Sequence, residues 1–88
     1  MKVIYKKSFA KDLGKIKSKD IRNNVKSVLF SLKDADNITD IKGVKKLKGY
    51  KTAFRIRIGD YRLGFFLENK TIIISRIIHR KDIYKKFP

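Results

Sequence analysis

The run from Ala53 to Tyr84 constrains the fold of this chain more than any other. Phe54, Ile56 and Ile58 alternate with Arg55 and Arg57, which is the period of a half-buried strand. Gly59-Asp60 follows, and then Tyr61, Leu63, Phe65 and Leu67 share one parity while Arg62 lies on the other. Two such runs joined by two turn residues make a β-hairpin, and glycine accepts the positive φ of its mirror-image turns. The hairpin sets Ile58 against Tyr61, Arg57 against Arg62 and Ile56 against Leu63. Apolar side chains then share one face, and Arg55, Arg57 and Arg62 share the other. Like charges directly opposite each other destabilise a sheet. Two readings of that face stand: it meets an anion, or it is a solvated surface in a basic chain.

Lys and Arg number 24 against 8 Asp and Glu, a formal net charge of +16. Such a field draws polyanions: nucleic acid, an acidic protein or anionic lipid. No long basic amphipathic helix with Trp anchors and no lipidation signal supports the last of these. At 88 residues one domain is expected, spanning 1–88. A chain of this length buries only about 60–65% of its unfolded surface, so the core is thin. There is no cysteine and a single histidine, which excludes a disulfide scaffold and a Cys- or His-rich zinc site. Met1 to Lys7 contains no apolar h-region, so no signal peptide is read. No all-apolar run exceeds three residues, as in Ile72-Ile73-Ile74, which is too short to span a bilayer. The expected location is the cytoplasm, with no membrane partner and no cofactor.

Along the chain, Lys2 to Lys6 reads as a short first strand. Ser8 can cap a helix with Asp12 in its first turn, and Phe9, Leu13 and Ile16 line one of its faces. Gly14 weakens that helix by roughly 1 kcal/mol relative to Ala. Ser18 or Lys19-Asp20 opens a second helix, with Ile21, Val25, Val28, Leu29 and Leu32 on its apolar side, ending near Asp34 to Asn37. Val44 and Leu47 begin a short or irregular strand. Thr71 to Ile78, apolar on both parities, reads as an interior strand covered on both faces. The turn at Glu68-Asn69-Lys70 has two or three residues, and a slip of one residue reverses the face that carries Arg76 and Arg80. The predicted fold is α+β: a small, antiparallel-dominated sheet of four to five strands with two N-terminal helices on one face, in the order β-α-α-β-β-β.

The segment Tyr50 to Phe66 (Y-K-T-A-F-R-I-R-I-G-D-Y-R-L-G-F-F), the apolar strand after it and R-I-I-H-R-K-D-I-Y resemble the RelE family of toxins within the RelE/ParE superfamily. L-K-G, the S-F-A-K-D-L helix and the length fit as well, so the resemblance covers essentially the whole chain. It implies the toxin half of a type II toxin–antitoxin pair, which enters the ribosomal A site and cuts mRNA without a metal. The implied partners are a cognate antitoxin, the ribosome and mRNA. By the same resemblance, Arg62 contacts the scissile phosphate, Arg55 and Arg57 occupy basic strand positions that are lysines in some members, and Arg80 follows the last strand. Tyr84 matches a C-terminal tyrosine that stacks on a base or assists proton transfer.

Metal-free RNA cleavage by the neighbouring 2′-hydroxyl needs a base, charge for the phosphorane and an acid for the leaving oxygen. Arginine supplies the charge as a fixed fork of donors but stays protonated, so a lysine-to-arginine departure leaves the base unassigned. His79 alone has an ordinary pKa near neutrality; it is either a substitute base or a hydrogen-bonded strand-end histidine. Tyr84 has packing of the tail as its alternative role. Lys45, Lys46, Lys48 and Lys51, with Lys81 in the tail, are either RNA-steering or solvated. Two rival functions share these features: a ParE-like toxin that inhibits DNA gyrase, and a non-enzymatic RNA- or ribosome-binding module.

Overall fold

In the computed structural model, which describes residues 1–88, the chain runs β1 (Lys2–Tyr5), α1 (Lys7–Lys15), α2 (Lys19–Asp34), β2 (Val44–Lys46), β3 (Ala53–Ile58), β4 (Tyr61–Glu68), β5 (Thr71–His79) and α3 (Ile83–Lys86), with a 3₁₀ turn at Ile38–Asp40. The strands form one sheet in the order β1-β5-β4-β3-β2. Only the β1–β5 pairing is parallel. The expected α+β architecture is therefore present, with the hairpin β3–β4 near its middle. Gly59 takes φ +56° at the hairpin turn, the first position of a type II′ turn, whose twist matches that of the strands.

The apolar parity of the hairpin faces α1 and α2. Ile56, Ile58, Leu63 and Phe65 join Phe9, Ile16, Val25, Leu32, Ile72, Ile74 and Ile77 in the main core. Ser18 caps α2, its hydroxyl accepting from the Ile21 N–H at 3.3 Å. Ser8 does not cap α1: the helix starts at Lys7, after Lys6 and with no side-chain cap. Ser8 and Asp12 do something else. Strand β1 stops at Tyr5, opposite Ile74, while β5 continues to His79. The outer edge of β5 beyond Ile74 would be left with unpaired backbone groups, which are costly when buried. Helix α1 lies along that edge. The Lys6 N–H donates to Ile74 O at 2.9 Å, and the Ser8 hydroxyl donates to Ser75 O at 2.7 Å. The Asp12 carboxylate accepts from the Ile77 N–H at 3.2 Å and from Arg76 at 2.6 and 3.0 Å.

The second turn, Asn69-Lys70, has two residues, both left-handed at φ 50° and 63°, as a type I′ turn requires. The uncertain register comes from elsewhere. Phe65 pairs with Ile74 and Gly64 with Arg76, so Ser75 is an unopposed bulge residue. One extra residue moves every later side chain of β5 to the other face. Arg76 consequently faces away from the main core and reaches round the sheet edge to Asp12.

The second face carries a smaller cluster of Leu47, Ala53, Ile83 and Phe87, packed with Phe66 and Ile78. Helix α3 belongs to this layer. Asp82 occupies its N-cap position without a side-chain capping bond.

Asp12 is 7% exposed and Arg76 25% exposed. Hydrogen bonding to Asp12 raises the Arg76 pKa above its ordinary value, against the opposing effect of burial. A raised base contributes its full stabilisation below the ordinary value and loses it only as pH rises through the folded value, so the clamp holds through the whole neutral range. Asp12→Ala leaves the Ile77 N–H and Arg76 without an acceptor, and a loss of about 2–3 kcal/mol is expected in urea denaturation. Asp12→Asn should lose less, because its amide oxygen still serves Ile77. A loss under about 0.5 kcal/mol for Asp12→Ala would show that this edge contact is dispensable.

Candidate functional site

Because Phe54, Ile56, Ile58 and Leu63 pack toward the helices, the intervening Arg55, Arg57 and Arg62 emerge on the opposite face of the sheet. Arg57 pairs with Arg62, and Arg55 pairs with Gly64. Arg80, on the turn after β5, joins them because its N–H donates to Asp60 O at 2.8 Å, which ties it to the hairpin turn. Tyr84 comes from α3, and its hydroxyl accepts from Arg55 Nε at 2.9 Å. Arg62 folds back on its own turn, with Nη1 donating to Gly59 O and Tyr61 O at 2.9 Å each. These bonds hold the guanidinium against the hairpin instead of leaving it to sweep solvent.

The Arg62 pKa is pushed below its ordinary value, first by burial and then by the charges of Arg55, Arg57 and Arg80, with Tyr84 acting the other way. A lowered base opposes folding wherever it is charged. That cost is full below the folded value and is relieved only in alkali. At neutral pH a bound anion would offset the part of that cost that comes from the neighbouring arginines. The electrostatics of the arrangement suit an anion: Arg55, Arg57 and Arg80 lie close enough to Arg62 for their charges to act on it, and a guanidinium fork can bind phosphate oxygens.

Five of the six residues proposed as catalytic thus share one surface. His79 is the exception. It pairs with Tyr61, one residue out of step with the Arg62–Ile78 pair, so it belongs to the helix-facing side of the sheet. Its ring meets Tyr61 edge-on at 5.8 Å, and its Nδ1 accepts from the Lys81 N–H at 3.2 Å. Among the lysines, Lys45 lies opposite Arg55 and on the same face. Lys46 lies opposite Phe54 and on the other. Lys48, Lys51 and Lys81 are exposed on turns beside the strands. Arg76 is spent on Asp12. No three His, Asp or Glu side chains come together to hold a metal ion.

Pattern reading missed the anchoring of Tyr84. Ile83 and Phe87 are 1% and 2% exposed, while Tyr84 between them is 65% exposed. The signal was available: two apolar residues four apart in an otherwise basic tail, which share a side of a helical turn.

Residues 3–84 match the model of a family described as the ParE toxin of the type II toxin–antitoxin system parDE. The chain is 40% identical to toxin RelE3 of Methanocaldococcus jannaschii over 89 residues, covering 100% of both proteins. Among solved structures it is similar to a chain of the RelB–RelE antitoxin–toxin complex from Methanococcus jannaschii, with a TM-score of 0.81 and 37% identity, covering 97% of this chain and 99% of that one. It is also similar to a chain of the RelBE2 toxin–antitoxin complex from Mycobacterium tuberculosis, with a TM-score of 0.70 and 26% identity, covering 92% of each.

An anion receptor is testable without a nucleic acid. Inorganic pyrophosphate bound with an affinity of about 0.1 mM and supplied at about 1 mM stabilises the fold by roughly 1.4 kcal/mol, a rise in melting temperature of about 5–10 °C. That rise is expected for the wild type, relative to chloride at equal ionic strength, and should largely vanish in the Arg57→Ala/Arg62→Ala variant. Equal rises in both proteins would mean that the anion binds elsewhere.

Proposed function

This chain belongs to the RelE family of toxins, in the RelE/ParE superfamily of type II toxin–antitoxin systems, and on that premise we propose that it is an endoribonuclease that cuts mRNA in the ribosomal A site and so stops translation. The observation that carries this reading is the convergence of Arg55, Arg57, Arg62 and Arg80 with the Tyr84 hydroxyl on one sheet face. The reaction is a transesterification. The 2′-oxygen forms a bond to the adjacent phosphorus, the bond from phosphorus to the 5′-oxygen breaks, and the products are a 2′,3′-cyclic phosphate and a 5′-hydroxyl.

Arg57, Arg62 and Arg80 stabilise the charge that builds on the non-bridging oxygens, the largest single contribution in reactions of this kind. Arg55 donates to the Tyr84 oxygen, which leaves the phenolic proton free to pass to the departing 5′-oxygen. Arginines stay protonated, so the proton of the 2′-hydroxyl goes to solvent or to the phosphate itself. A site rich in charge and poor in bases gains most from a substrate held in an in-line geometry. The ribosome supplies that geometry, which accounts for the dependence on it. Lys45, Lys46, Lys48, Lys51 and Lys81 add non-specific attraction to the RNA backbone.

The RelB–RelE structure from Methanococcus jannaschii is an antitoxin–toxin complex. By that likeness this toxin has a cognate antitoxin as its partner in the cytoplasm, and a net charge of +16 favours an acidic one. A second reading, inhibition of DNA gyrase, has one observation in its favour: the matching family model bears the ParE description.

The two readings separate in vitro. Wild-type protein added to a translation extract should arrest synthesis and create new 5′ ends on the message within codons. Arg62→Ala should slow this by on the order of 10²–10³-fold, the usual effect of removing one charge-stabilising donor. Full arrest by Arg62→Ala would remove it from the site. Loss of gyrase supercoiling with intact message would favour the second reading.

A further inference from the structure

Gly64 lies in the middle of β4 on the arginine face, and it is buried. Glycine weakens a strand interior, so its presence there asks for a close approach by something else. That something is Phe87. A Cβ built on Gly64 would lie 2.7, 2.8 and 2.9 Å from three atoms of the Phe87 ring. Those separations are below any carbon–carbon contact, and the obstacle is a buried ring, not the tip of a flexible chain. Phe87 is 2% exposed, and its ring also meets Phe66 at 5.1 Å. The missing side chain of Gly64 is therefore the socket into which Phe87 fits.

Two further relations give the socket a purpose. Gly64 is the cross-strand partner of Arg55, and Arg55 is the residue whose Nε–H reaches the Tyr84 hydroxyl. Phe87 closes α3, with its N–H donating to Ile83 O at 2.8 Å. The same backbone point thus seats the helix that carries Tyr84 and stands beside the arginine that Tyr84 meets. Tyr84 itself is exposed and has one hydrogen bond, so its position is inherited from its neighbours. We propose that Gly64 and Phe87 are positioning residues: a glycine socket and an aromatic plug that together set the distance from the Tyr84 hydroxyl to the arginine face. For the catalytic consequence this rests on the mRNA-cleaving reading above; the structural relation does not.

Three variants test it: Gly64→Ala, Phe87→Leu, and the two combined. The direct readout is the ring resonance of Tyr84 in protein labelled at tyrosine, assigned through Tyr84→Phe. Gly64→Ala should shift that resonance, Phe87→Leu should shift it less, and the combination should return toward wild type, because the smaller leucine makes room for the added methyl. The second readout is single-turnover cleavage of ribosome-bound mRNA. Gly64→Ala should lower the maximal rate by on the order of 10–100-fold, as a displacement near 1 Å can do, with little change in the concentration for half-saturation. The combined variant should recover most of the loss. Circular dichroism decides whether Gly64→Ala is folded; if it is not, Phe87→Leu and the combined variant still carry the test. A Tyr84 resonance unmoved in every folded variant, or a combined variant worse than both singles, overturns the proposal. A shifted and then restored resonance in a protein whose wild type cuts no message would keep the socket and overturn the function instead.

Discussion

Burial of one parity of the β3–β4 hairpin is what the rest of the molecule depends on. Ile56, Ile58, Leu63 and Phe65 are 0–4% exposed, and each such side chain contributes roughly 1.5–3 kcal/mol by leaving water. Alternation then leaves Arg57 and Arg62 no choice of face. Their opposition across the strand pair costs up to about 1 kcal/mol at most, a fraction of what the buried parity supplies. The core therefore wins, and the guanidinium groups are held together against their own repulsion. The strained quantity is electrostatic, and Arg62, with its pKa lowered by burial and three arginines, carries it.

Holding like charges together requires that the sheet be firm, and the firmness comes from how its edges are closed. Strand β1 covers only the first part of β5, and α1 covers the rest with backbone and side-chain partners in place of a strand. Asp12 is central to that arrangement. In a chain with 8 acidic residues against 24 basic ones, one carboxylate is buried to neutralise Arg76 and to terminate the open edge at Ile77. Arg76 is thereby removed from the pool of free cations, while Arg55, Arg57, Arg62 and Arg80 are left without a carboxylate partner. The distribution of the few acids, as much as that of the many bases, decides where the positive field is concentrated.

The tail shows a division of labour along a few residues. Ile83 and Phe87 are buried and Tyr84 is exposed, so apolar contacts on either side present a polar group that has little packing of its own. The sheet face that receives them is half apolar, at Leu47, Ala53 and Phe66, and half cationic. Tyr84 lies at the border, where an aromatic ring with a hydroxyl tip suits both environments.

Much of this was legible from residue order. The period of two in Phe54–Ile58 and Tyr61–Leu67 set the hairpin, its register and the shared face of Arg55, Arg57 and Arg62, because a two-residue turn admits only one pairing. The helical period of Ile21–Leu32 and the cap at Ser18 set α2. Three features came only from tertiary structure. The bulge at Ser75 put Arg76 opposite Gly64, and the run Ile72–Ile78, apolar on both parities, carries no alternation that would reveal it. The same shift put His79 beside Tyr61, across the sheet from Arg62, so proximity in sequence to Arg80 did not become proximity in space. Ser8 and Asp12 left the roles of helix cap and dipole partner because an uncovered strand edge had stronger need of their oxygens. Local periodicity specifies which face a residue takes within its own element; which partner waits on that face depends on contacts between residues more than sixty positions apart, and only the folded chain brings those together.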